Sequence, residues 1–111
     1  MITDEQWIEE QWREYPLCLQ MVEVGGAVEH ALRFSDEPDV VKCEVKSACD
    51  LLDLIMKIRQ NEPIAKELIL AKETLCDFFL GDNLMKTEAN EIKAYYDKYM
   101  NEYIALLKNK I

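Results

Sequence analysis

Three glycines, three prolines and a single histidine are all that 111 residues contain of these types. So few turn-formers exclude a fold of many short strands and tight turns, and no Gly/Ser-rich or low-complexity stretch marks a linker. No apolar run approaches the roughly 20 residues that cross a bilayer. The start, Met1-Ile2-Thr3-Asp4-Glu5, is acidic where a secretory signal is basic and then apolar. The expectation is a cytoplasmic protein with no membrane partner. Lysine and arginine are scarce in one half: residues 1–55 carry 4 against 13 acidic side chains, whereas residues 56–111 carry 9 of each, so the first half holds the whole net charge of −9. A surface of that sign repels phosphate, which argues against direct nucleic-acid binding.

Half of the residues are hydrophobic, enough for one core in a chain of this length. The expected architecture is all-α: an up-down antiparallel four-helix bundle over residues 16–111, preceded by a short helical arm over residues 1–15, five helices in one domain. Thr3 with Gln6 fits a capping box and opens a first helix from Asp4 to about Glu14. Pro16 suits the first turn of a second helix, which runs to about Phe34. After the polar breaker Ser35-Asp36-Glu37-Pro38-Asp39, Val41, Val45, Ala48, Leu52 and Ile55 recur at helical spacing, opposite a polar stripe of Lys42, Lys46, Asp50, Asp53, Lys57 and Gln60. Pro63 opens a fourth helix with Ile64, Leu68, Ala71, Leu75 and Phe78 inward and Gly81 as its C-terminal cap. Thr87 caps a fifth, with Ile92, Tyr96, Tyr99, Tyr103 and Leu106 inward.

Little in this pattern carries chemistry. Cys18, Cys43, Cys49 and Cys76 have no zinc or iron–sulfur spacing and read as free, buried thiols. His30 shares its helix face with Glu23, Gly26 and Arg33, as a solvated histidine does. Gly25-Gly26 inside a helix costs about 1 kcal/mol per glycine and calls for compensation, by a kink, by a close helix approach or by a break where a ligand or partner backbone fits. No cofactor is expected.

Two functional readings follow. In the first, the protein is not an enzyme and works by binding protein, as a regulator, inhibitor or assembly factor. Its partner is a second copy of itself or a more basic protein. Trp7 and Trp12, interleaved with Glu9 and Glu10, and the tyrosine band Tyr95, Tyr96, Tyr99 and Tyr103 are the candidate contact residues, because binding energy concentrates in large aromatic side chains while charge steers the encounter. In the second, Met21-Val22-Glu23-Val24-Gly25-Gly26 and Cys49-Asp50-Leu51-Leu52-Asp53 are similar to the acidic segments of all-α nucleotide pyrophosphohydrolases. That resemblance implies a Mg²⁺-dependent enzyme with Glu23, Glu29, Asp50 and Asp53 converging on one cavity. Gly26 departs from the family pattern, which wants a carboxylate there.

Overall fold

Met1, Ile2, Ile111 and the side chain of Glu5 lie outside what the computed structural model describes, which is residues 3–110. Among them the chain forms five α-helices and no strand: α1 Asp4–Arg13, α2 Leu17–Arg33, α3 Pro38–Ile58, α4 Ile64–Phe79 and α5 Ala89–Lys108. The capping box that opens α1 is complete. Thr3 Oγ1 accepts from the Gln6 amide at 3.2 Å, and the Thr3 amide donates to Gln6 Oε1 at 3.0 Å. Each proline stands at a helix start, Pro16 and Pro63 capping α2 and α4 and Pro38 beginning α3, where a missing amide hydrogen leaves no bond unmade.

Side-chain pairs fix the directions. Arg59 beyond the end of α3 bonds to Gln20 near the start of α2, while His30 near the end of α2 faces Glu44 near the start of α3. Cys49 and Asp53 of α3 meet Cys76 and Lys72 of α4, and Gly25 of α2 lies against Tyr96 of α5. Neighbouring helices are therefore antiparallel, as the short connections require. Backbone packing is extensive for α2 on α3, α2 on α5 and α3 on α4, but not for α4 on α5, which approach chiefly through side chains. All five periodic residues of α3 are buried, and Met21, Val24, Leu68, Leu75, Ile92, Tyr96 and Tyr99 join them from the other helices. The stripe from Lys42 to Gln60 faces water throughout.

The glycine pair divides into two roles. A Cβ on Gly25 would stand 3.1 Å from Tyr96 Cβ, whereas one on Gly26 would meet nothing within 4 Å. Gly25 lets α5 approach α2 closely; Gly26 only forfeits helix propensity. Gly26→Ala should accordingly raise stability by about 0.5–1 kcal/mol. Gly25→Ala should gain less or lose, because Tyr96 must shift by a few tenths of an ångström. Thermal unfolding of the two variants followed by circular dichroism checks the order.

The N-terminal helix is docked to the bundle. Trp12 packs on the core, and the Glu9 carboxylate bridges Arg13 at 2.8 Å on its own helix and Lys57 at 3.0 Å on α3. A buried polar link reinforces the joint between α1 and α2. The fully buried Gln20 donates through Nε2 to the Trp12 carbonyl and accepts at Oε1 from Arg59 Nε at 2.9 Å, and Arg59 also donates to the Tyr15 carbonyl at 3.3 Å. The bond from Lys57, chiefly, holds the Glu9 pKa below the usual carboxylate range, against a smaller opposing effect of desolvation. A carboxylate whose folded-state pKa is depressed contributes its full stabilisation above the unfolded pKa and loses it as pH falls through the folded value. Trp12 fluorescence should therefore report loosening of α1 only as pH falls below the ordinary glutamate range of about 4, and Lys57→Met should move that change to higher pH.

Three local expectations are corrected. Cys43 is exposed and Cys18 and Cys76 are partly so, which leaves Cys49 as the one buried thiol among the four. Gly81 does follow the end of α4, but among the described residues no glycine has a positive φ. A Cβ on it would stand 3.2 Å from the Asp77 carbonyl oxygen, so close passage along the helix end is what requires glycine. Thr87 does not cap α5; Glu88 occupies that position without a side-chain cap, and the Thr87 backbone is bound instead by Asn83.

Candidate binding surface

Helix α4 carries more apolar residues than its inner face can bury. Leu68 and Leu75 enter the core, but Ile69 and Leu70, lying about 100° and about 200° further round the helix, are exposed. The segment that follows continues the apolar surface with Leu80, Leu84 and Met85, and Leu84 is the most exposed of all at 81%. A loop that puts leucine and methionine in water would ordinarily collapse onto the core. This one is held in place: the Asp77 carboxylate accepts the Leu84 amide at 2.8 Å and the Met85 amide at 2.9 Å. Asn83 closes the loop through a reciprocal pair, its Oδ1 accepting from the Thr87 amide at 3.0 Å and its Nδ2 donating to the Thr87 carbonyl at 2.9 Å. Asn83 and Lys86 take left-handed φ values of 51° and 55°, a conformation that side chains other than asparagine and aspartate rarely adopt. The surrounding bonds thus impose the shape of the loop.

The loop stands at one end of an open cleft of about 310 Å³ between α4 and α5. Leu70, Ala71, Leu75 and Ile92 supply an apolar lining, Thr74 and Thr87 add hydroxyls, and Glu67 and Glu91 add the charged groups, with no lysine or arginine among the lining residues. Thr74 also reaches Met85, its hydroxyl 3.6 Å from the sulfur, so loop and cleft form one continuous surface. Lys98 ties the two walls: its Nζ lies 3.7 Å from Glu67 and over the rings of Tyr95 and Tyr99 at 4.6 and 4.7 Å.

The tyrosine band splits across this surface. Tyr96 and Tyr99 are core residues, so burial withdraws both from the set offered to a partner. Tyr95 is half-buried and lines the cleft, and Tyr103 is half-buried on the same helix. The Tyr95 hydroxyl is shielded from solvent with no hydrogen-bond partner among the described residues, and burial is the main cause that drives its pKa up. On α1, Trp7 is 55% exposed and Glu10 is exposed, whereas Trp12 and Glu9 are occupied in docking the helix. Outside the α4 surface, the exposed large apolar side chains among the described residues are Trp7 and Ile8 of α1, Phe34, and Met100, Ile104 and Leu107 of α5.

The four carboxylates of the pyrophosphohydrolase resemblance are dispersed and largely committed to cations. Asp50 binds Lys46 at 2.8 Å, Asp53 binds Lys72 at 2.8 Å, and Glu29 binds Arg33 at 2.7 Å, all with substantially exposed side chains; Glu23 is exposed as well. Among the described residues no three His, Cys, Asp or Glu side chains gather to hold a metal ion. His30 is solvated, 55% exposed and 3.8 Å from Glu44. No described helix is long and apolar enough to cross a membrane.

Ile69, Leu70, Leu80, Leu84 and Met85 were not picked out by periodicity, which identifies only residues that repeat with the inner face. The signal available was Leu84-Met85 itself, an apolar dipeptide in a segment that belongs to no helix. Comparison of the chain with protein-family models, with curated proteins and with solved structures finds no match.

Proposed function

We propose that this protein acts without catalysis, as a helical-bundle module that binds a basic protein partner through the α4 surface and the α4–α5 cleft, in the manner of a regulator, inhibitor or assembly factor. The observation that carries this reading is the bond-restrained loop that holds Leu84 and Met85 in solvent beside an apolar cleft. Apolar side chains kept exposed by a rigid backbone lose little entropy when a partner covers them, and contiguous apolar surface of this kind marks interaction sites. Charge supports a basic partner: the chain carries −9 overall, and the charged residues that line the cleft are both glutamates. The enzyme reading has no comparable support, because the carboxylates it needs are spread over exposed ion pairs.

A photo-reactive residue placed at position 84 should cross-link a protein of basic isoelectric point in extracts of the native host, whereas the same residue at position 46, on the polar stripe of α3, should not. Leu84→Asp should abolish that capture and change the melting temperature by less than about 3 °C, since an exposed side chain contributes little to the core. Light scattering over a range of concentrations tests self-association: a dimer that Leu84→Asp converts to monomer would make a second copy the partner. Equal capture from positions 84 and 46, with a monomer at all concentrations, would reject the assignment of this surface.

A further inference from the structure

The four cysteines are all free, but two of them are close neighbours. Cys49 Sγ on α3 and Cys76 Sγ on α4 lie 3.8 Å apart at the packed seam between these helices, beside Ala31, Val45 and Phe79. Their environments differ. Cys49 is buried, and burial first, then the adjacent Cys76 thiol, pushes its pKa up to about 12. Cys76 is partly exposed and lines an open depression of about 380 Å³ with Asp53, Met56, Ile69, Lys72 and Glu73. One sulfur of the pair is therefore reachable by a small molecule from outside, and the other can be reached only from its neighbour.

We propose that Cys49 and Cys76 form a dithiol oxidation site, in which a small-molecule disulfide entering the depression converts the pair into a cross-link between α3 and α4. Cys76 loses its proton to solvent and its sulfur attacks one sulfur of the disulfide R–S–S–R, giving a Cys76–S–S–R mixed disulfide and releasing R–S⁻, which takes up a proton as the first R–SH. Cys49 then loses its proton and attacks Cys76 Sγ; the bond to the remaining R–S group breaks and the second R–SH leaves. Two protein thiols are oxidised and one small disulfide is reduced to two thiols. Mixed-disulfide formation also removes the Cys76 thiol that, after burial, is the main opposition to ionisation of Cys49. The sulfurs must close from 3.8 Å to the about 2.05 Å of a disulfide, across two helices already in contact.

The test uses the unmodified chain and oxidised glutathione, followed by alkylation of remaining thiols and tryptic digestion. Cleavage after lysine and arginine puts the four cysteines in four separate peptides, with Cys49 in residues 47–57 and Cys76 in residues 73–86. The expected product is these two peptides joined to each other and carrying neither glutathione nor the alkylating group, with Cys43 recovered as a glutathione adduct or alkylated. The link closes 27 residues of sequence separation, so the melting temperature should rise by roughly 10 °C and return to its original value on reduction. Recovery of Cys76 as a stable glutathione adduct, or of Cys49 and Cys76 both alkylated after prolonged exposure, would overturn the proposal.

Discussion

Replacing Arg59 with methionine should lower the unfolding free energy by about 2–3 kcal/mol, or roughly 10 °C in melting temperature, although arginine lies beyond the last residue of its helix. Methionine keeps the apolar stem. What it removes is the donor to Gln20 Oε1 and to the Tyr15 carbonyl. Gln20 is completely buried, so its oxygen finds no water in exchange, and an unsatisfied buried acceptor costs more than the original bond contributed. The Arg59 side chain is itself only 17% exposed, which distinguishes this pair from the surface ion pairs elsewhere on the molecule. Glu62→Gln, which weakens only the exposed end of the same arginine, should cost less than about 0.5 kcal/mol. Urea unfolding of both variants decides the matter: similar small losses would mean that the buried link between α3 and the α1–α2 joint is not a determinant of stability. Gln20→Leu in the Arg59→Met background should cost much less than in the parent chain, because both polar partners are then gone together.

Asp77→Ala should release the α4–α5 loop. The carboxylate accepts two backbone amides, from Leu84 and Met85, and its loss leaves the left-handed Asn83 and Lys86 held by the Asn83–Thr87 pair and by two backbone bonds, from the Asn83 amide to the Asp77 carbonyl and from the Lys86 amide to the Asn83 carbonyl, each at 3.0 Å. The expected cost is about 2 kcal/mol, which is about thirtyfold in the exchange rate of the two amides, read by hydrogen exchange. Asp77→Asn keeps one acceptor oxygen and should fall between. Partner capture from position 84 should weaken in Asp77→Ala even though every exposed apolar side chain is still present, because the loop must then be ordered on binding. Unchanged exchange at Leu84 and Met85 would show that the two bonds do not maintain the loop.

Much of the fold was legible because helices with one buried face write a period into the chain. Val41, Val45, Ala48, Leu52 and Ile55 are all buried, and the Thr3–Gln6 box and the three prolines stand at helix starts. The candidate site was less legible. Tyr95, Tyr96, Tyr99 and Tyr103 were expected to act together, but one helix face cannot hold all four in water, and packing against Gly25 takes Tyr96 inward. Trp7 and Trp12 lie on one short helix; Trp12 docks on a core assembled from the other helices, and Glu9 beside it finds Lys57, 48 residues away in sequence. The loop was misread at Thr87 because a threonine before a helix is usually a cap; nothing local announced that Asn83 would claim its backbone first. Exposure of Leu84 and Met85 followed from Asp77, seven and eight residues earlier, a relation that no hydrophobic period records.

The weak backbone packing of α4 on α5 gives the molecule an uneven mechanical character. Traced through its extensive helix contacts, the bundle is a folded strip, α4 to α3 to α2 to α5, whose two outer members meet edge to edge through side chains and one ion pair of 3.7 Å. Parting those edges disturbs less packing than parting any neighbours along the strip. Low-energy deformation is thus concentrated along a single line, and that line is the floor of the cleft.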